Sequence, residues 1–414
     1  MRNIFICALF CFSLGMLLNS CKKNEHQLKE GVWRATLKTQ SGAEIPFNFT
    51  VSDTNGKKSV YILNGKDKFR VDEVEVKDDS VFIQLPLFDS EIRASLGNTL
   101  NGKWIKHLAT RNSEMDFSAE HDVSWRFFKT NTKPEYRVAG RWSATFIGNE
   151  GKDTTVAVAE FQQDGANVTG TFLTTTGDYR FLEGTISDGK LFLSTFDGGN
   201  AYLFTADIEN ENTIVNGKFY AGYSSIKDWT AHKDDKAILP DAYSLTTLKP
   251  GYKTINFTFP DMEGKKVSLS DPKFKDKVVI VQFLGSWCPN CMDETAYLAP
   301  LYKKYKNKDL EIVGLAYERT ADFNRSKKTL SRLKDRFDVD YDFLITGYTN
   351  NSEEVLKSIP ALNDFKAFPT TIVIDRKGVV QKIHTGFSGP GTGEHYKQFT
   401  EEFEKLIDSL LAEK

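Results

Sequence analysis

The chain has 414 residues, too many for one ordinary domain, and its 40% hydrophobic and 27% charged content is that of folded globular material. A formal net charge of -2 excludes a general electrostatic attraction to nucleic acid. Beyond the N-terminus no stretch is apolar for long enough to span a bilayer as a helix.

Residues 1–21 read as an export signal rather than as fold. Arg2 supplies a positive start, and Ile4 to Leu18 form an apolar run broken by Ser13 and Gly15. The closing Leu18-Asn19-Ser20-Cys21 resembles the bacterial lipobox, whose cysteine is acylated and becomes the mature N-terminus. Lipidation at Cys21 is therefore expected, with residues 22–29, opening Lys22-Lys23-Asn24-Glu25, as a polar tether. An ordinary signal with a chance cysteine, or an uncleaved anchor, is the plainer alternative. Of five cysteines, Cys7 and Cys11 fall inside the signal and Cys21 would carry lipid. Cys288 and Cys291 remain for chemistry. Exported proteins sit where disulfides persist, yet no second pair is left to staple this one. The remaining pair reads as working rather than structural.

From 30 to 235 the pattern is all-β: alternating segments, Gly/Asn/Asp turns and no helical period. Trp33, Ala35 and Leu37 alternate with Arg34, Thr36 and Lys38, as in a half-buried strand. The region reads as a duplication, residues 30–132 and 133–235, each a small barrel or sandwich. Gly31-Val32-Trp33-Arg34-Ala35-Thr36 is echoed by Gly140-Arg141-Trp142-Ser143-Ala144-Thr145, and Asn101-Gly102-Lys103-Trp104 by Asn216-Gly217-Lys218-Phe219. Gly-x-Trp on a first strand weakly resembles the opening of lipocalin-like barrels. His107, His121 and His232 are scattered without metal-ligand spacing, and no metal is expected. The aromatics read as strand core, and the region as a structural or binding module.

Residues 236–255 carry the Pro/Gly punctuation of a linker, and the pattern then becomes α/β over 256–414. A hairpin (257–260 with 266–269) precedes a buried strand, Val278 to Leu284, and a helix from Pro289 to Lys306. A second strand (310–317), a helix (323–337), a short strand (342–345) and a short helix (352–358) follow. The chain closes with a hairpin, 370–374 with 379–385, and an amphipathic helix, 394–411.

Trp287-Cys288-Pro289-Asn290-Cys291 stands between the buried strand and its helix, the position of a thiol–disulfide motif in a βαβ unit. A helix N-terminus favours an anion, here the Cys288 thiolate. Cys291, one turn on, would resolve the mixed disulfide that Cys288 forms. A zinc site would need further ligands, and covalent haem would need His where Met292 stands. The dithiol itself is the redox group, so no cofactor is expected.

Residues 256–414 resemble thioredoxin-fold proteins of the TlpA/ResA type, the membrane-tethered thiol–disulfide oxidoreductases of bacterial envelopes. The opening hairpin, Trp287-Cys288-x-x-Cys291, and Phe368-Pro369-Thr370-Thr371 before an apolar strand carry the resemblance. It implies a cis Pro369 facing the cysteines, with Trp287, Phe368 and Gly386 lining a substrate groove. It also gives Glu294, three residues after Cys291, a role in accepting the Cys291 proton. Asp293 beside it is expected on a solvated helix face.

Departures from the family pattern are Gln282, where thioredoxin has a buried Asp, and Ala296, where a kinking proline is usual. Gly386-Phe387-Ser388-Gly389-Pro390-Gly391-Thr392-Gly393 lacks the spacing and lysine of a phosphate loop. Tyr317-Glu318-Arg319, at the strand end on the cysteines' side, reads as a cap.

The expected activity is reduction of disulfides in exported proteins, with electrons from a membrane donor of the thioredoxin-reducing kind and a lipid anchor to a periplasm-facing membrane. An oxidase or isomerase of the same fold is the alternative within the class. A scaffold lipoprotein whose β repeat carries the function is the alternative outside it.

Overall fold

The computed structural model describes residues 27–85, 87–129, 133–148 and 151–413. The stretch read as an export signal, Cys21 and most of the expected tether lie outside them. Among the described residues no helix is long and apolar enough to cross a membrane.

Two barrel-like β units come first, as the duplicated pattern predicts. In the first, nine antiparallel strands run from Gly31–Lys38 to Asn112–His121, and these two strands pair with each other. In the second, Asp153–Asp164 pairs with both Gly140–Gly148 and Asn167–Thr174, which closes its sheet on itself. The repeat extends to side-chain detail. Gly31 and Gly140 open equivalent strands at φ 109 and 117, a region open to glycine. Trp33 and Trp142 are both buried, and each donates its indole N–H to the carbonyl four residues earlier, at 3.0 and 2.8 Å. The second barrel is filled with rings: Phe204 stacks on Phe219 at 4.3 Å, with Phe146, Phe172 and Trp229 around them. Its aromatics are core, as expected.

The C-terminal unit is a five-stranded sheet with Val278–Leu284 at its centre. Leu310–Glu318 and Asp342–Thr349 lie parallel on one side, and the hairpin Thr370–Ile374 and Val380–Thr385 antiparallel on the other. Every residue of the central strand is buried, which is why its sequence is a near-continuous apolar run, interrupted by Gln282, and not an alternating one. Four helices cover the sheet: α1 (Pro289–Tyr305), α2 (Phe323–Phe337), α3 (Ser352–Ser358) and α4 (Glu394–Ala412). Asp322 and Asn351 cap α2 and α3 through their side chains. The strand at 342 runs to Thr349, longer than its apolar run predicted. The linker is held against this unit, with the N–H of Lys249 on Ala361 and that of Val380 on the Lys253 carbonyl.

Candidate redox site

The turn Gly285-Ser286-Trp287 carries the chain from the central strand into α1, and buried Glu318 holds it there. The Ser286 N–H and hydroxyl each donate to the Glu318 carboxylate at 2.8 Å, and the Trp287 indole donates to the Tyr317 carbonyl at 2.9 Å. The strand end read as a cap is thus one, and its target is the loop in front of the cysteines. Arg319 lies over the Trp287 ring, 5.8 Å from its centroid.

Cys288 is the N-cap of α1, with Pro289 beginning the helix, where a missing N–H costs nothing. Its sulfur accepts the Cys291 N–H at 3.2 Å, one of the donors a helix start leaves unpaired. The same Sγ lies 3.7 Å from the Phe368 carbonyl, in the loop whose Phe368–Pro369 bond is cis. Phe368 meets the Trp287 ring edge-on at 5.5 Å, and the Gly386 N–H donates to the Pro369 carbonyl at 2.8 Å. Both cysteines are free thiols; Cys288 is 6% exposed and Cys291 fully buried. Burial, the Cys288 sulfur and Glu294 together push the Cys291 thiol well above its ordinary range.

Glu294 is 2% exposed. Thr371 donates to its Oε1 at 2.6 Å and Gln282 to its Oε2 at 2.9 Å, while the Tyr341 hydroxyl donates to the Gln282 oxygen at 3.1 Å. Burial pushes the Glu294 carboxyl up to about 7, against the pull of those two hydrogen bonds. A carboxyl poised near neutrality beside a high-pKa thiol is suited to general-base work. Gln282, which departs from thioredoxin's buried Asp, instead orients the Glu294 carboxyl through its amide N–H. In the sequence Thr371 stands out only as part of the proline loop; its register opposite Gln282 gives it this contact.

Trp287, Cys288, Cys291, Phe368, Pro369 and Gly386 therefore converge, with Glu294 behind the pair. One expectation fails. Asp293 is not on a solvated face but 9% exposed, because the second barrel covers this side of α1 and presents Arg180 to it at 2.9 and 3.0 Å. No signal in the local sequence pointed to a partner 113 residues away. Among the described residues no group of three or more His, Cys, Asp or Glu side chains is arranged to hold a metal ion.

A dithiol at a helix N-terminus, facing a cis-proline loop on a sheet of this order, defines a thioredoxin-like thiol–disulfide exchange protein. The Redoxin family model matches residues 249–398. Thiol-disulfide oxidoreductase ResA of Bacillus thuringiensis subsp. konkukian is 32% identical over 161 residues, 39% of this chain and 79% of that protein. ResA of Halalkalibacterium halodurans is 30% identical over 159 residues, 38% of this chain and 77% of its own. Among solved structures, a thiol:disulfide interchange protein of the thioredoxin family from Chlorobium tepidum TLS aligns at TM-score 0.30 and 18% identity, over 40% of this chain and 100% of that one. The chain belongs to the ResA-like thiol-disulfide oxidoreductases. It is a thiol–disulfide oxidoreductase whose two barrels precede the matched region.

Proposed function

We propose that the protein is an envelope-tethered reductant of disulfides in exported proteins. The observation that carries this reading is the Cys288 sulfur, capped by the Cys291 N–H at 3.2 Å and facing the Phe368 carbonyl at 3.7 Å. The Cys288 thiolate attacks one sulfur of a substrate disulfide, whose other sulfur leaves as a thiolate. Glu294 takes the Cys291 proton, and the Cys291 thiolate then attacks Sγ of Cys288. The second substrate sulfur leaves, and Cys288 and Cys291 end as a disulfide. Two electrons have passed to the substrate, and a membrane thiol donor of the thioredoxin-reducing kind restores the dithiol. Trp287, Phe368, Pro369 and Gly386 line the groove in which the substrate chain lies.

The direction is supported by the family's membrane-tethered members, and the location by the export signal with its lipobox-like end at Cys21. That end implies lipid anchorage with the catalytic unit facing the periplasm. No cofactor enters the cycle.

Cys291→Ala blocks resolution, so mixed disulfides through Cys288 accumulate and run as adducts on non-reducing gels of envelope extracts. No adduct, under conditions where a thioredoxin variant of the same design traps partners, defeats the reading. The reduction potential of the 288–291 couple separates reductant from oxidant, since about 1.4 kcal/mol of thiolate stability moves it by roughly 30 mV.

A further inference from the structure

The second barrel lies on the redox site. Its connection from Thr174 to Leu182 runs to the start of α1 and to the loop after Thr385. There the Arg180 guanidinium donates from Nε to Asp293 Oδ2 at 2.9 Å and from Nη2 to Oδ1 at 3.0 Å, a bidentate pair. Its Nη1 reaches Asp197 Oδ2 at 3.4 Å, and all three side chains are buried. Asp178, also buried, accepts the Gly389 N–H at 2.6 Å.

The backbones meet without room for side chains. A Cβ on Gly386 would stand 2.8 Å from the Thr176 carbonyl carbon. One on Gly177 would stand 1.8 Å from Nδ2 of Asn290, the residue between the cysteines. The Gly386 side of the groove is therefore occupied by a strand end of this same chain.

Where the connection meets α1 the seam is ionic, a buried guanidinium among carboxylates. Opening it returns one guanidinium and several carboxylates to water, which offsets much of what the buried pair contributes. Polar interfaces between domains of one chain are the kind that come apart.

We propose that this clasp is the specificity-determining element of the enzyme. Docked, the second barrel closes the groove to a polypeptide and leaves Cys288 to small thiol reagents and low-molecular-weight disulfides. Released, it admits a protein disulfide. Arg180, Asp178 and the Thr176-Gly177 backbone act here as positioning groups, and the inference rests on Cys288 being the attacking thiol.

The test uses the reduced full-length chain and two alkylating probes, iodoacetamide and a maleimide carrying a long polyethylene-glycol chain. Modification at Cys288 is followed by peptide mapping. Arg180→Ala removes the ion pair to Asp293 and Asp197 from the barrel side. Gly391→Leu pushes the seam from the other side, because its Cβ would stand 3.1 Å from the Arg180 carbonyl carbon and its backbone is not in the left-handed region. In both variants the polymer-to-iodoacetamide rate ratio rises about tenfold or more, as the competent population rises. Native near-UV circular dichroism certifies the fold, and if Arg180→Ala fails that check Gly391→Leu decides. Equal ratios in the wild type and a folded variant overturn the clasp. Alkylation needs no turnover, so that result leaves the redox reading standing. A chain that reduces nothing yet shows the ratio change would instead overturn the proposed activity.

Discussion

Replacing Glu294 by Gln isolates the one buried carboxyl behind the cysteine pair. Burial raises it from the usual 4.5 to about 7. That displacement corresponds to about 3 kcal/mol between its protonated and ionised forms. Because the folded chain holds this proton more tightly than the unfolded one, its contribution to stability is fully present below 4.5 and is lost as pH rises through about 7. Gln has no proton to lose. It can still accept from Thr371 through its oxygen, but its amide would face the Gln282 donor. That mismatch costs about 1 kcal/mol at any pH. The variant is then less stable than wild type in acid and about 2 kcal/mol more stable in mild base. Urea unfolding of both proteins, followed by tryptophan fluorescence at several pH values, reads the difference directly. A stability difference that stays constant from pH 4.5 to about 8 refutes the burial argument. Identical alkylation–pH profiles in the two proteins would remove Glu294 from proton transfer.

Other consequences can be measured alongside. Thr371→Val deletes one of the two hydrogen bonds that favour ionised Glu294, so the carboxyl should titrate above its wild-type midpoint in a carbon-13 NMR titration. An unmoved midpoint would discount the 2.6 Å contact. Phe204→Ala leaves a hole among stacked rings inside the second barrel and should cost about 3–5 kcal/mol in chemical denaturation. A loss below about 1 kcal/mol would mean that the barrel interior is not the packed core seen here.

The catalytic half of the site was legible because its parts are local. An apolar run, a tight turn and a helix start must follow one another to put Cys288 at the N-cap, and all three are contiguous in the chain. Pro369 and Gly386 were reachable only through family resemblance, since nothing near residue 369 names residue 288 as its neighbour. Glu294 too needs the resemblance, because by position alone it reads as a solvated helix-face glutamate. Its partners are less legible: in the sequence Gln282 reads as an absent acid rather than as the donor that orients one. Asp293 went wrong for the same reason. A carboxylate on a helix reads as solvated unless its cation is nearby in sequence, and Arg180 lies on another domain.

By itself the sequence determined the two repeated β units, the α/β unit and the cysteine pair at its helix end. Periodicity, turn chemistry and capping act over a few residues and are written where they operate. Tertiary structure alone decided that the second barrel folds back over that pair, with Arg180 on Asp293 and Gly177 on Asn290. Such contacts depend on the shapes of two finished surfaces and on the removal of water between them. No short stretch of either partner encodes them.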